Sequence, residues 1–239
     1  MNCCIDIGNT RIKIGIFSKE NDLKYFEAKS KFSVNDFKSI FAKISFNKAI
    51  ICNVTDKQPV WMNWLNKRAE VHFLGSKSKL PFFNNYKSIN TLGFDRISVC
   101  AGAQSFFGKK NIVVFNAGTC LTVDFLNKGV YMGGSISPGI EMKLKAMHLY
   151  TSKLPLVKLN PNVEMTGAKT DESLQAGSIF GTANEIVGWM LRYEKQFSDV
   201  QFVLTGGNSS LLEKHLQKSI FVAPQLSLLG LNEILKLNT

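Results

Sequence analysis

One pattern occurs twice in this 239-residue chain and constrains its fold more than any other feature. The stretch DIGNTRIKIG (residues 6–15) places an acid, a glycine and small polar residues in a tight turn, and isoleucines then recur at every second position. The stretch NIVVFNAGTCLTVDFL (111–126) has the same order, and Asn116 stands where the first copy has Asp6. Apolar residues that alternate with a period of two are typical of strands. The chain therefore contains two copies of a strand, a polar glycine turn and a second strand.

The segments around the two copies predict a duplicated α/β fold. The predicted strands are 2–7, 11–17, 22–29, 48–54, 111–117 and 200–204, and the predicted helices are 34–45, 94–107, 139–149, 171–196 and one from about 208. The wholly apolar run 48–54 is typical of a strand buried in a parallel or mixed sheet. A serine cap precedes the helix over 34–45. We expect a first lobe over 1–110 and a second over 111–239.

Composition excludes several other classes of protein. Apolar residues make up 45% of the chain and charged residues 20%, as in globular proteins. No run reaches the roughly 18 apolar residues of a membrane span, and Asp6 would interrupt the apolar region of a secretory signal. The five cysteines lack a CxxC spacing and are expected to be free, buried thiols of a cytoplasmic protein. The three isolated histidines do not predict a zinc site.

The net charge of +11 raises the question of a nucleic-acid partner. The lysines are spread thinly along the chain, and no aromatic RNA-binding signature accompanies them. We therefore expect no nucleic acid and favour a small polyanionic ligand, with a merely solvated basic surface as the alternative.

The two glycine turns and the stretch LTGGN (204–208) carry the pattern of a phosphate site. Backbone N–H groups at glycines can hold phosphate oxygens, and neighbouring carboxylates can hold a divalent cation. No P-loop and no GxGxxG fingerprint occurs, so the commoner nucleotide folds are excluded. The structural alternative is that Asp, Gly and Asn are ordinary turn formers beside a solvated lysine.

Five ordered motifs resemble those of the type III pantothenate kinases. They are DIGNTRIKIG (6–15), GFDR (93–96), NAGTCLTVD (116–124), GGSISPG (133–139) and LTGGN (204–208), and they run nearly end to end. The family belongs to the acetate and sugar kinase, heat-shock ATPase and actin superfamily. The resemblance implies an α/β, two-lobe, duplicated ribonuclease H-like (actin-like ATPase) fold with mixed sheets flanked by helices. It also implies ATP-dependent phosphorylation of pantothenate, the first step of coenzyme A biosynthesis.

The resemblance assigns the acceptor site to five residues. Asp95 is the implied general base on the pantothenate hydroxyl, and Arg96, Gly93 and Tyr86 bind the substrate with it. Thr170 resembles a threonine that reaches the substrate of the neighbouring subunit, which implies a homodimer with shared active sites. The alternative for the GFDR stretch is a helix-start acid followed by a surface arginine.

The resemblance also assigns a set of residues to ATP and its metal. Asp6 would hold Mg²⁺, and the phosphate chain would be surrounded by Gly8, Asn9, Thr10 and Lys13. The second phosphate turn would comprise Gly118, Thr119 and Thr122, with Asp124 beneath it as a further candidate metal ligand. The adenosine would lie near Gly206 and Gly207.

Asn116 departs from the family pattern, in which an aspartate at this place is tied to a required monovalent cation (K⁺ or NH₄⁺). An amide keeps an oxygen ligand and loses the negative charge, so either ion dependence or activity itself is altered. We predict an active kinase because Asp6, Asp95, Arg96 and Asp124 all remain. The open alternatives are a non-catalytic regulatory or accessory protein on this fold, and a kinase of another small substrate.

Overall fold

Contacts divide the chain into two compact units. The structure, a computed structural model, describes residues 1–55 and 58–239. Unit 1 comprises Met1–Gly108, Gly129–Met132 and Gln225–Thr239, and unit 2 comprises Lys109–Lys128 and Gly133–Pro224. The C-terminal segment thus belongs to unit 1, whereas the sequence placed it in the second lobe.

Both halves of the chain contain strands and helices. The strands are β1 (Asn2–Ile7), β2 (Ile12–Phe17), β3 (Leu23–Lys29), β4 (Lys48–Asn53), β5 (Glu70–Phe73), β6 (Phe83–Asn84), β7 (Asn111–Ala117), β8 (Cys120–Asn127), β9 (Val130–Pro138), β10 (Val200–Thr205) and β11 (Phe221–Val222). The helices are α1 (Val34–Lys43), α2 (Met62–Asn66), α3 (Phe94–Phe107), α4 (Ile140–Leu149), α5 (Thr170–Gln196), α6 (Ser209–Glu213) and α7 (Leu226–Leu237).

Unit 1 is built on a mixed sheet with the strand order β3-β2-β1-β4-β5. β1 is antiparallel to β2 and parallel to β4. The register places Asp6 opposite Lys13 and Ile7 opposite Ile12, so residues 8–11 form the first turn. The short strand β6 pairs with the first residues of β9.

Helices cover both faces of the unit 1 sheet. On one face, Ile5, Ile14 and Ile51 of the sheet join Phe37 of α1 and Leu65 of α2 in a buried apolar cluster. The opposite face packs on α3 and α7, which also contact each other. Because side chains alternate along a strand, this second face is the one that carries the polar residues of β1. It positions the candidate site of unit 1.

Unit 2 repeats the topology of unit 1. Its strands follow the order β11-β10-β7-β8-β9, and β7 is antiparallel to β8 and parallel to β10, as β1 is to β2 and β4. Its turn is one residue shorter, because Ala117 pairs with Leu121 and leaves 118–120. Val123 and Phe125 face an apolar cluster completed by α4, α5 and α6. The predicted duplication and the mixed sheets flanked by helices are confirmed.

Most predicted elements agree with the structure to within about two residues. α3 spans the predicted 94–107, and α1 begins after Ser33, which forms a capping box with Asp36. The helix predicted from about 208 has only five residues. The sequence missed β5, β6, β9, β11, α2 and α7.

The cysteines are free, and four of the five are buried, whereas Cys120 is half-buried. Within the described ranges, none of the helices has the length and apolar character to cross a bilayer.

Candidate active site

Asp6 lies at the end of β1 with 7% of its surface exposed. Its Oδ2 accepts a hydrogen bond of 2.8 Å from the hydroxyl of Ser227 and lies 3.5 Å from Nζ of Lys13. Neither of these two contacts involves Oδ1. Ser227 and Lys13 thus contact the same oxygen of the carboxylate.

The first turn presents backbone and small side chains beyond Asp6. The N–H of Gly8 closes the turn on the carbonyl of Arg11 at 3.0 Å, and Asn9 and Thr10 are exposed at its tip. Lys13 is half-buried and forms an ion pair with Asp6.

Asp95 stands in the first turn of α3, whose N-cap is Gly93. A Cβ on Gly93 would lie 2.5 Å from Oδ1 of Asp95, so the glycine leaves the space that this carboxylate occupies. Burial raises the pKa of Asp95, and the negative charge of Asp6 raises it further. The N–H and the guanidinium of Arg96 lower the pKa by less. The structure therefore brings the two predicted carboxylates within electrostatic reach of each other in unit 1.

Arg96 and Tyr86 also lie together in unit 1. Arg96 is only 4% exposed, and its Cζ lies 5.8 Å from the centre of the Tyr86 ring, within cation–π range. The N–H of Tyr86 donates to Oδ1 of Asn84 at 3.0 Å, which fixes the backbone of this loop. The alternative of a surface arginine is wrong, because the Arg96 side chain is buried.

The sequence singled out neither Cys52 nor Ser227. Cys52 pairs with Asp6 across β1 and β4. Burial and the charges of Asp6 and Asp95 raise the pKa of its thiol well above the ordinary value, so it stays protonated and unreactive. Ser227 belongs to a helix that the sequence did not predict, and an isolated serine carries no signal of its own.

The second turn forms a separate group in unit 2. Asn116 pairs with Thr122 across the hairpin, and the hydroxyl of Thr122 donates to Oδ2 of Asp124 at 3.0 Å. Asp124 is fully buried. The N–H of Gly118 donates to the carbonyl of Cys120 at 2.9 Å, and Thr119 is exposed at the tip. The predicted members of this turn are therefore neighbours.

The LTGGN stretch packs against the same hairpin of unit 2. Gly206 has a φ of +97°, and a Cβ there would lie 2.4 Å from the carbonyl of Ala117, so only glycine fits. A Cβ added to Gly207 would meet no other described part of the chain within 4 Å. The side chain of Asn208 donates to Glu141 at 2.8 Å, a carboxylate that the sequence did not single out. Thr170, the first residue of α5, is exposed.

The donor set of unit 1 fits a magnesium ion that arrives with its nucleotide. In the part of the chain that the structure describes, no group of three or more His, Cys, Asp or Glu side chains could hold a metal ion unaided. Mg²⁺ is commonly bound through one or two carboxylates together with phosphate oxygens and water. The carboxylate of Asp6 meets this requirement.

The profile of the type III pantothenate kinase family matches residues 2–192. The type III pantothenate kinase of Cytophaga hutchinsonii is 40% identical over 244 residues, with 100% of each chain covered. This chain belongs to the type III pantothenate kinase family. The family predicted from the five motifs is thereby confirmed.

Solved structures confirm the fold. The activator of the 2-hydroxyisocaproyl-CoA dehydratase from Clostridium difficile, with bound ADPNP, superposes with a TM-score of 0.55 at 14% identity over 99% of this chain and 95% of that chain. A ROK family glucokinase from Streptomyces griseus, in complex with glucose and AMPPNP, gives a TM-score of 0.52 at 11% identity over 96% and 97%. The family member thus has the actin-like ATPase fold that the sequence predicted.

Proposed function

We propose that this chain transfers the γ-phosphoryl group of ATP to the primary hydroxyl of pantothenate, the first step of coenzyme A biosynthesis. The observation that carries the proposal is the pair of carboxylates in unit 1. Asp6 is held by two donors, and Asp95 has a raised pKa. Two carboxylates whose surroundings differ in this way are typical of a site that divides metal binding and proton transfer between them.

Asp95 is the general base in this proposal. The hydroxyl oxygen of pantothenate attacks the γ-phosphorus, its proton passes to the Asp95 carboxylate, and ADP leaves with the electron pair of the broken P–O bond. A pKa raised by burial and by Asp6 makes Asp95 a stronger base than an exposed aspartate. Gly93 contributes by leaving space for that carboxylate.

Arg96 and Tyr86 orient the acceptor. Pantothenate carries a carboxylate, and a guanidinium fork is suited to bind one in two parallel hydrogen bonds. The buried Arg96 is held near the Tyr86 ring, so little side-chain freedom remains to be lost when the acceptor binds.

In unit 1, the phosphate chain and its metal are bound by Asp6 and by Gly8, Asn9, Thr10 and Lys13. Bound Mg²⁺ neutralises charge on the transferred phosphoryl group. In unit 2, the second turn with Gly118, Thr119 and Thr122 binds phosphate, and Gly206 and Gly207 approach the adenosine. The open space at Gly207 supports this assignment, because a ligand can lie against the backbone there. The buried Asp124, bonded to Thr122, positions this turn.

Two further parts of the proposal follow from the family resemblance. A monovalent cation, K⁺ or NH₄⁺, binds at Asn116, and its dependence differs from that of relatives with an aspartate there. Two copies of the chain form a homodimer in which Thr170 reaches the substrate of the other copy. The exposure of Thr170 supports the second part.

A turnover assay tests the proposal. Purified protein is incubated with ATP, Mg²⁺ and pantothenate while K⁺ or NH₄⁺ is varied, and 4′-phosphopantothenate is measured by mass spectrometry. We expect phosphopantothenate from the wild type and none from a folded Asp6→Ala variant. Glucose is the competing acceptor, and phosphorylation of glucose with pantothenate left unchanged would overturn the proposed substrate. A wild type that phosphorylates neither would favour the accessory role.

A further inference from the structure

Ser227 contacts Asp6 from the opposite end of the chain, 221 residues away. Ser227 is 4% exposed, Asp6 is 7% exposed, and the hydroxyl of the serine lies 2.8 Å from Oδ2 of the carboxylate. A buried carboxylate is destabilised unless donors replace its lost hydration. Ser227 supplies one such donor and Lys13 the other, and both address the same oxygen. Both contacts restrain the carboxylate through Oδ2, and neither involves Oδ1.

The helix that carries Ser227 cannot slide along α3. A Cβ on Gly230 of α7 would lie 1.7 Å from the carbonyl of Ser98, and a Cβ on Gly102 of α3 would lie 2.4 Å from the carbonyl of Leu226. Two glycines, one from each helix, therefore let the backbones touch. Because α3 begins one residue before Asp95, this contact ties α7 to the proposed base.

A buried amide fixes the same helix to the strand that carries Asp6. Asn232 is fully buried, and its Oδ1 accepts from the side chain of Asn2, at the start of β1, at 2.8 Å. Its Nδ2 donates to Oδ1 of Asn21, in the loop after β2, at 2.5 Å. α7 is thus held to β1 and to α3 by independent contacts.

We propose that Ser227 is a positioning residue: it holds Oδ2 of Asp6 so that Oδ1 is presented to the metal–nucleotide complex. The proposal rests on the proposed function for the identity of the complex. Neither Ser227 nor α7 touches the acceptor in this scheme. Removal of the hydroxyl therefore weakens metal binding and turnover and leaves the affinity for pantothenate unchanged.

The direct test measures Mn²⁺ binding by electron paramagnetic resonance, with ATP present and pantothenate absent. Loss of a side chain that orients a metal ligand commonly weakens metal binding by about 10- to 100-fold, and we expect a loss in this range for Ser227→Ala. We expect kcat to fall by a similar factor while the KM for pantothenate stays constant. Ser178→Ala is the matched control, because Ser178 is a buried serine of unit 2 whose hydroxyl donates to Leu174 in its own helix.

Ser227→Thr and Ser227→Val separate the hydroxyl from the packing. The two side chains have nearly the same shape, and only threonine can donate to Asp6. We expect the threonine variant to bind Mn²⁺ with ATP at least about 10-fold more tightly than the valine variant. Equal binding by this pair, or wild-type binding by a folded Ser227→Ala variant, would overturn the proposal. Because the binding readout requires no pantothenate, a failure of the proposed acceptor is distinguishable from a failure of this inference.

Discussion

At the scale of single residues, Asp95 is the most informative side chain. It lies at a helix start, where backbone N–H groups and the positive end of the helix dipole ordinarily lower the pKa of an acid. Here burial and the charge of Asp6 outweigh those effects and raise it. A residue whose ionised form the protein disfavours is more useful as a base than as a helix cap, and two predictions follow from this.

Asp95→Asn removes the proposed base and keeps the shape of the side chain. We expect kcat to fall by about 10²- to 10⁴-fold, the usual range for the loss of a general base, with nearly unchanged ATP affinity. Steady-state kinetics and isothermal titration with ATP measure the two quantities. The control is Asp22→Asn, an exposed aspartate of unit 1. A variant that keeps more than half of the wild-type activity would refute the role of Asp95.

The raised pKa of Asp95 also makes a prediction about stability. When the folded-state pKa exceeds the unfolded value, the folded protein binds more protons between the two values, and stability falls as the pH rises through that window. At neutral pH the ionised Asp95 is therefore a destabilising group. We expect Asp95→Asn to have a higher Tm than the wild type at pH 7, and this difference to shrink below the ordinary aspartate pKa. A lower Tm for the variant at pH 7 would contradict the direction of the shift.

Asn116 gives the third residue-scale prediction. At an effective dielectric constant near 20, two unit charges 4 Å apart interact by about 4 kcal/mol before desolvation, so the loss of a carboxylate weakens a cation site substantially. We expect Asn116→Asp to create or sharpen activation by K⁺. Wild type and variant are assayed across a K⁺ series at constant ionic strength, balanced with a bulky organic cation. Identical K⁺ curves would show that position 116 does not touch the ion.

At the scale of elements, local signals explain what the sequence predicted and what it missed. α3 begins after the glycine N-cap Gly93 and ends at Gly108, so the sequence marks both of its ends. α7 contains Gly230, which disfavours a helix by local propensity and is present because α7 touches α3 there. β9 contains Gly133 and Gly134, which weaken a strand signal in the same way. Tertiary packing decided these elements, and local propensity did not reveal them.

Gly230→Ala tests the contact between the two helices. The added Cβ would meet the carbonyl of Ser98 at 1.7 Å, so α7 must move away from α3. Overpacking typically lowers the free energy of unfolding by about 1–3 kcal/mol, and we expect Gly230→Ala to lower it by at least that amount. The control is Gly188→Ala in α5, where a Cβ meets none of the described residues beyond its own helix within 4 Å and alanine is expected to be neutral or to stabilise by up to about 1 kcal/mol. Thermal unfolding of both variants measures the difference, and similar Tm values would exclude the close contact.

At the scale of the whole molecule, the repeat made the architecture predictable. A hairpin around a glycine turn, followed by helices and a parallel strand, occurs in each half, and both sheets have the same relative strand order. Asp6 lies in the first copy of this repeat, whereas Asp95 at the start of α3 was assigned through the family resemblance of the GFDR stretch. The assignment of Gln225–Thr239 to unit 1 could not be predicted, because the sequence revealed neither α7 nor the sheet that it covers. Ser227, the donor to Asp6, lies in the same segment and was therefore not predicted either.

The proposed homodimer makes the last prediction. If Thr170 of one copy completes the site of the other, Asp95→Asn and Thr170→Asp inactivate the same site from different chains. The added carboxylate of Thr170→Asp repels that of pantothenate. Random pairing of equal amounts gives half heterodimers, and each heterodimer has one intact site, so mixing restores up to about a quarter of wild-type activity in a twofold-symmetric dimer. We expect a particle of twice 26.7 kDa in sedimentation and this recovery after subunit exchange. Activity that never exceeds the mean of the two variants would show that the sites are not shared.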